Sequence, residues 1–263
     1  GTDDCHIHNE CTQEILKDLE FFNGWEASQL APNFKKKQLT NFRSPLMRQL
    51  AENMIEGNYQ KEYRLKTYRP IASNKILQNK LKLSDGYSRY ENITGMYLEK
   101  GENVVLVGDM HGREINLLIP DWMRQPTPGF APTKDPEGWE LKKQVIALHE
   151  GVNVIHVKKS GNVYIDYFAD DPETAPGITI HFVTGKVNGY FDAETQTNED
   201  WNKLLDQAVS PVMDVKTRYM QLAYPVEFLK KFDYGKGREL AQAYDQIMTQ
   251  QYEFCGALKY NRV

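Results

Sequence analysis

Several features of membrane, disulfide-rich and nucleic-acid-binding proteins are missing from this sequence of 263 residues. No apolar run approaches the roughly 20 residues of a membrane-spanning helix, and no signal peptide is recognisable. Three cysteines are an odd number, which excludes a disulfide framework. Asp and Glu (36) outnumber Lys and Arg (32), and the net charge of −4 argues against nucleic acid as a partner. Because the chain begins at Gly1 and not at Met, an export signal removed before this point is compatible with the sequence.

Motifs of common catalytic sites are missing as well. There is no glycine-rich phosphate loop, no Gly-x-Ser-x-Gly elbow and no Cys–His pair at catalytic spacing. The His-Glu-x-x-His helix of zinc peptidases is also missing, since His149-Glu150 is followed by His156 in a segment that favours a turn and a strand. An odd spacing in a strand places two side chains on opposite faces. We therefore do not expect these two histidines to share a metal ion.

Hydrophobic periodicity divides the chain into three regions and predicts an α+β fold. Residues 1–75 form an N-terminal helical region, with Thr12 as the N-cap of the first helix and a second helix over 44–57, which starts at Ser44-Pro45 and ends at Gly57. Residues 76–190 form an antiparallel β-sandwich, because short β-branched and aromatic runs alternate with turn residues. Residues 191–263 are helical again.

The individual elements follow from the same patterns. We expect Val154, Val163, Ile165, Ile178 and Ile180 in the sandwich core, since alternate residues of a strand point inward. Tight hairpins are predicted at 160–162 and at 109–114. The predicted strands are 62–68, 94–98, 103–108, 114–119, 144–148, 152–158, 163–168 and 178–183, and the predicted C-terminal helices are 199–209, 212–219, 225–232 and 238–254.

Two short segments carry metal-ligating residue types. Cys5, His6, His8 and Cys11 are suitable zinc ligands, but their spacing differs from that of a zinc finger. The alternative interpretation is a frayed terminus, with a Cys5–Cys11 disulfide if the chain is exported. Gly108-Asp109-Met110-His111-Gly112 resembles the metal-binding signature of metallophosphatases, without the further Asp, Asn and His clusters of those enzymes. A metal-dependent hydrolase that uses Asp109 and His111 is therefore a weak functional alternative, weaker than the two alternatives described below. The sequence does not assign a state to Cys255.

Aromatic residues in a proline-rich loop are the candidate ligand-binding residues. Trp122, Phe130 and Trp139 lie in or beside the segment 120–139, which holds five prolines. Long loops in compact domains are often functional, and aromatic rings on loops can stack on sugars or on a protein partner. The alternative interpretation is that these rings cover an edge of the sandwich. A stand-alone carbohydrate- or protein-binding module is the second functional alternative.

Several segments over residues 60–263, in the same order, resemble the enhancin-like, mucin-targeting zinc metallopeptidases (peptidase family M60) of gut bacteria. Thr94-Gly95-Met96-Tyr97-Leu98 followed by Gly101-Glu102 resembles an opening strand and turn of that family. The other matching segments are Leu148–Asn153, Gly161–Ile165, Asn188–Phe191, Tyr244–Ile247 and Asn261-Arg262.

The resemblance implies a function without supplying catalytic residues. In that family the His-Glu-x-x-His helix and a glutamate ligand follow the Asn-Arg segment, and this sequence holds neither. The resemblance therefore implies a non-catalytic accessory region of a secreted, cell-surface or periplasmic metallopeptidase that acts on mucin-type glycoproteins. It also implies that residues 191–263 are the helical start of a truncated peptidase-like domain. The implied partners are a glycoprotein or glycan substrate and a downstream peptidase domain. Zinc is expected only in that downstream domain, and we expect this chain to be inactive alone.

Overall fold

A computed structural model describes residues 10–82, 92–125, 127–131, 134–136 and 142–263. The architecture is α+β, as predicted: a helical N-terminal segment, a central sandwich of two antiparallel sheets, and a C-terminal segment of helices around a small sheet. No helix in the described ranges combines the length and the apolar character needed to cross a bilayer. The boundaries of the three predicted regions stay a prediction.

Two antiparallel sheets form the sandwich. The four-stranded sheet contains, in spatial order, β1 (Leu65–Tyr68), β10 (Ile178–Phe182), β4 (Gly101–Val107) and β7 (Gly151–Val157). The five-stranded sheet contains β11 (Lys186–Val187), β3 (Asn92–Leu98), β8 (Gly161–Asp166), β5 (Asn116–Pro120) and β6 (Lys143–Ala147). A short parallel pair, β2 (Ile71–Ala72) and β9 (Phe168–Ala169), lies beside them. Every predicted strand is confirmed.

Strand β4 shows why this stretch of sequence is apolar without interruption. Val105 and Val107 pack in the core between the two sheets, whereas Val104 and Leu106 pack against the N-terminal helices. A strand that is covered on both faces requires apolar side chains at every position. Four of the predicted core residues, Val163, Ile165, Ile178 and Ile180, lie between the sheets. Val154 is also buried, but on the opposite face of the four-stranded sheet, against the helices.

The N-terminal helices cover the outer face of the four-stranded sheet. They are α1 (Glu10–Asp18), continued by a 3-10 turn over Leu19–Phe21, and α2 (Pro45–Ile55). The hydroxyl of Ser44 caps α2 by accepting a hydrogen bond from the amide of Met47 (3.4 Å), as the Ser-Pro pair predicts. The carboxylate of Asp18 is buried and accepts hydrogen bonds from the amides of Arg43 and Ser44. The prediction of Thr12 as N-cap is wrong, because α1 already begins at Glu10.

Another 3-10 turn over Lys36–Asn41 precedes α2, and α3 (Asn74–Leu81) follows β2. The C-terminal segment contains β12 (Phe191–Asp192), α4 (Asn198–Asp206), β13 (Val212–Lys216), β14 (Gln221–Pro225), α5 (Val226–Phe232) and α6 (Gly237–Phe254). The helix predicted over 212–219 is wrong, because Val212–Lys216 pairs antiparallel with Gln221–Pro225. In this stretch four consecutive residues, 212–215, are buried, so both faces of the strand are covered and no alternation marks it in the sequence.

The two predicted hairpins are wrong for a shared reason. The segment 109–114 joins β4 to β5, and residues 158–160 join β7 to β8, yet in both cases the two strands belong to different sheets. Turn residues predict that the chain reverses direction, but they do not specify which sheet the next strand joins. Both connections therefore cross from one layer of the sandwich to the other.

Candidate functional site

The outer face of the five-stranded sheet forms a contact region, hereafter the seam, with the C-terminal segment. Ile93, Leu118 and Tyr164 are buried there, one from each of β3, β5 and β8, and Trp122 and Tyr190 pack against them. The ring centroids of Trp122 and Tyr164 lie 6.0 Å apart, with the rings nearly perpendicular (88°). Trp122 lies two residues after the end of β5, so the sheet fixes where this ring lies.

A chain of hydrogen bonds crosses the seam. The indole Nε1 of Trp122 donates to the hydroxyl oxygen of Tyr164 (2.9 Å), and this hydroxyl donates in turn to Oδ1 of Asp214 on β13. The role of Trp122 is fixed, since an indole only donates, and Asp214 in its ionised form only accepts. The chain therefore holds the Trp122 ring in one orientation and connects it to the C-terminal sheet.

Two buried asparagines complete this polar contact. Asn162 donates from Nδ2 to the carbonyl of Val212 (3.0 Å) and to Oδ2 of Asp214 (3.3 Å). Asn188 donates to the same carbonyl (3.1 Å) and accepts from the amides of Val209 and Ser210, both at 3.0 Å. The irregular backbone before β13 is thus bonded to the sandwich by side-chain amides, which buried backbone groups need where no strand partner is present.

Burial changes the acid–base properties of this cluster. Burial of the Asp214 carboxyl raises its pKa to about 7, although the hydrogen bonds from Tyr164 and Asn162 act in the opposite direction. Burial, together with the neighbouring Asp214 carboxylate, also raises the pKa of the Tyr164 hydroxyl well above its ordinary value. Near neutral pH Tyr164 therefore stays a hydrogen-bond donor, while Asp214 exists in both protonation states.

An open cleft of about 510 Å³ lies at the end of this seam. Its walls are the β3–β4 turn, the residues from Pro120 to Met123, the β7–β8 connection and the segment 210–212. The volume is in the usual range for small-molecule sites. Lysines and aromatic rings line it together: Tyr97, Lys100, Trp122, Lys158 and Lys159. A second cleft, of about 310 Å³, lies at the seam beside Lys66, Tyr190 and Arg218.

The predicted aromatic residues are not brought together. Trp122 lines the large cleft, whereas Phe130 is 51% exposed and is not part of the cleft wall. Trp139 lies outside the described residues. Ligand binding by Trp122, Phe130 and Trp139 stays a prediction, and the geometry singles out Trp122 among them.

Asp135, a buried residue that the sequence analysis does not single out, holds the proline-rich loop in place through hydrogen bonds. Oδ2 of Asp135 accepts from the guanidinium of Arg124 (3.1 Å) and the amide of Thr127 (3.0 Å), and its Oδ1 accepts from the Thr127 hydroxyl (2.6 Å). Nothing in the sequence distinguishes this aspartate from exposed ones. Tyr164, Asp214 and Asn162 were missed likewise, because their partners are about 50 residues apart in the chain.

The metal-binding predictions find no support in the part of the chain that the structure describes. Cys5, His6 and His8 lie outside it, as does the side chain of Cys11. Asp109 and His111 lie on an exposed turn, where the Asp109 carboxylate accepts from the His111 amide (2.7 Å). No group of three or more His, Cys, Asp or Glu side chains that could hold a metal ion is found among the described residues.

Comparison with solved structures shows similar folds. A metallopeptidase from Bacteroides thetaiotaomicron superposes over 95% of this chain with a TM-score of 0.72 and 22% identity. A metallopeptidase in complex with Tn antigen covers 75% with a TM-score of 0.61 and 25% identity. The CBM32-1, CBM32-2 and M60 catalytic domains of Clostridium perfringens ZmpB cover 94% with a TM-score of 0.60 and 13% identity. The chain spans 42%, 36% and 28% of these three structures.

One part of the sequence also matches a family model. Residues 187–262 match the model of the family described as peptidase M60, enhancin and enhancin-like. This match covers β12 to α6, the part of the chain that packs against the sandwich through the seam. The predicted resemblance to the enhancin-like metallopeptidases is confirmed. A comparison with curated proteins finds no match.

The zinc ion of such peptidases does not fit the residues of this chain. The sequence contains no His-Glu-x-x-His motif. His149 precedes strand β7 and His156 lies near the end of that strand. Since a strand rises by about 3.3 Å per residue, their side chains are too far apart to bind one ion. Within the described ranges no alternative set of three ligands replaces them.

Proposed function

We propose that this chain is a non-catalytic accessory region of an enhancin-like metallopeptidase that acts on mucin-type glycoproteins. The observation that carries the proposal is the combination of the family match over residues 187–262 with the missing zinc motif. The region positions a glycoprotein substrate, and a separate peptidase domain supplies zinc and cleaves the polypeptide of that substrate. The similarity to a metallopeptidase in complex with Tn antigen supports a glycan ligand.

A peptidase domain is the proposed protein partner. Its contact surface lies on α5 and α6, where Phe228 (46%), Phe232 (54%) and Ile247 (49%) are exposed. Leu240 and Tyr244 on α6 pack against the C-terminal core, so this helix has apolar side chains on more than one side. Large apolar patches on a surface often mark interaction sites. We place the complete protein outside the cytoplasm, secreted or on the cell surface or in the periplasm, since mucin-type glycoproteins are found there.

Binding and cleavage assays test the proposal together. The chain is titrated with a peptide that carries a single N-acetylgalactosamine on threonine, and with the same peptide without the sugar as the control. We expect saturable binding of the glycopeptide that exceeds binding of the bare peptide at least ten-fold, and no cleavage of either peptide in the presence of zinc. Equal binding of both peptides contradicts the positioning role, and chelator-sensitive cleavage contradicts the non-catalytic role.

A further inference from the structure

The large cleft at the seam carries an excess of positive charge. Three lysines line it, Lys100, Lys158 and Lys159, against one carboxylate, Asp121. The ammonium of Lys159 lies 2.5 Å from the Asp121 carboxylate, so these two charges offset each other. Lys100 and Lys158 have no ion-pair partner among the described residues. The cleft therefore presents a net charge of about +2 to a ligand, in a chain whose overall charge is −4.

Hydrogen bonds fix the backbone positions of these lysines. The amide of Lys100 donates to the Ser160 hydroxyl (2.8 Å), which joins the β3–β4 turn to the β7–β8 connection. Gln144 on β6 accepts from the amide of Lys158 (2.7 Å) and donates to the carbonyl of Lys159 (2.9 Å). Two loops, each of which joins one sheet of the sandwich to the other, are therefore held together at one end of the sandwich, and the lysine side chains extend from a fixed base.

An aromatic wall lies beside the charges. Trp122 is half-buried, and its ring is held by the bond from Nε1 to Tyr164, which is itself bound to Asp214. Tyr97 and Met123 add further apolar surface to the same cleft. A pre-oriented aromatic ring binds the apolar face of a sugar without the cost of ordering a mobile side chain.

We propose that this cleft binds an anionic sugar residue, one that carries a carboxylate or a sulfate group. The sugar ring packs on Trp122, and its anionic group is bound by the ammonium groups of Lys100 and Lys158. Charge-assisted hydrogen bonds of this kind are stronger than neutral ones, so the cleft selects acidic over neutral glycans. This inference rests on the proposed function and specifies its ligand: the glycoprotein substrates are those with acidic glycans.

The test uses the complete chain and three probes in isothermal titration calorimetry: 3′-sialyllactose, 6′-sulfolactose and lactose. We expect both acidic probes, or one of them, to bind at least ten-fold more tightly than lactose, and this preference to shrink when NaCl is raised from 50 to 500 mM. Preference for one acidic probe identifies carboxylate or sulfate as the recognised group. Equal affinity for all three probes overturns the inference.

Variants locate the site. The double variant Lys100→Gln/Lys158→Gln should reduce the affinity for the acidic probes at least ten-fold and leave that for lactose unchanged. The control, Lys36→Gln/Lys37→Gln, makes the same change of net charge at exposed positions of the N-terminal 3-10 turn and should change neither affinity. Equal losses in the two double variants show a general charge effect and overturn the site. Thermal unfolding of each variant verifies that it is folded.

The outcome separates this inference from the proposed function. If the chain binds the N-acetylgalactosamine peptide but shows no preference for acidic probes, only the anionic site is wrong. If the chain binds neither the glycopeptide nor any of the three sugars, the proposed function is wrong as well.

Discussion

The hydroxyl of Tyr164 in the sandwich donates a hydrogen bond to the buried carboxyl group of Asp214 in the C-terminal sheet. This bond crosses the seam between two parts of the chain that have separate hydrophobic cores. The same hydroxyl accepts from Trp122, which lines the large cleft. One tyrosine therefore couples the orientation of a cleft residue to the docking of the C-terminal segment.

Removal of the Tyr164 hydroxyl should lower the free energy of unfolding. Tyr164→Phe leaves the Trp122 N–H without its acceptor and Oδ1 of the buried Asp214 without its donor, so that among the described residues Asp214 keeps only the bond from Asn162 (3.3 Å). An unsatisfied buried polar group costs about 1–3 kcal/mol. Tyr167→Phe is the matched control, since Tyr167 is also buried but its hydroxyl makes a single bond, to the carbonyl of Pro176 (2.8 Å). Denaturant unfolding should show a larger loss for Tyr164→Phe. Equal losses contradict the coupling role.

Two buried groups, His181 and Asp214, should make the free energy of unfolding depend on pH in opposite directions. Burial lowers the pKa of His181 to about 4, so its contribution is present above pH 6.5 and is lost as the pH falls towards 4. Burial raises the pKa of Asp214 to about 7, so its contribution is present below pH 4 and is lost as the pH rises through 7. At about 1.4 kcal/mol per pKa unit, the two shifts correspond to about 3 to 5 kcal/mol each.

Single variants should reveal these opposing slopes. Between pH 4.5 and 7, Asp214→Asn should leave only the His181 dependence, and the free energy of unfolding should fall as the pH is lowered. His181→Gln should leave the Asp214 dependence, and the free energy should rise instead. His156→Gln, at an exposed position, is the control and should keep the wild-type profile. Urea titrations at four pH values measure all of these profiles, and identical profiles for the first two variants contradict the assignment.

The start of α6 should tolerate no side chain at Gly237. A Cβ atom there would lie 2.5 Å from Cγ of the buried Trp201, whose Nε1 donates to the carbonyl of Asp233. Overpacking of this kind costs about 1–3 kcal/mol. Gly237→Ala should therefore lower the free energy of unfolding by that amount, while the neighbouring exposed variant Arg238→Ala should change it by less than about 0.5 kcal/mol. No effect of Gly237→Ala shows that the helix can shift away from Trp201.

The apolar surface of α5 and α6 should bind a hydrophobic dye. Phe228 and Phe232 lie next to each other on α5, with ring centroids 4.8 Å apart, and both are exposed. We expect anilinonaphthalene sulfonate fluorescence with the folded chain, reduced at least two-fold by Phe228→Ser/Phe232→Ser. The exposed pair Glu14→Ser/Lys17→Ser on α1 is the control. A chain that binds no dye under native conditions contradicts the role of this surface as a contact for another domain.

Much of the sandwich could be predicted because local patterns determine it. The strand positions follow from short β-branched runs between turn residues, and α2 follows from its Ser44-Pro45 start and Gly57 stop. The pairing of the strands, and the sheet to which each strand belongs, could not be predicted. The crossing of the chain between sheets at 109–114 depends on which strand offers an apolar face at that point, and this is a property of the assembled sandwich.

The candidate site could be predicted only in part. The position of Trp122 in the loop predicts it as a ligand-binding residue. Its partners Tyr164 and Asp214 lie in strands, and nothing in the sequence marks them as part of a site. The sequence pattern around Asp214 predicts a helix, because a strand that is covered on both faces shows no alternation of apolar and polar residues. The lysines of the cleft come from two loops that only the sandwich brings together. Contacts over such sequence distances leave no periodic signal.

Titration of the complete chain with the N-acetylgalactosamine peptide, followed by mass spectrometry of the same sample after incubation with zinc, tests the central claim most directly. The account predicts saturable, sugar-dependent binding and an intact peptide at every time point. Binding that does not depend on the sugar, or cleavage of the peptide that a chelator abolishes, would contradict it.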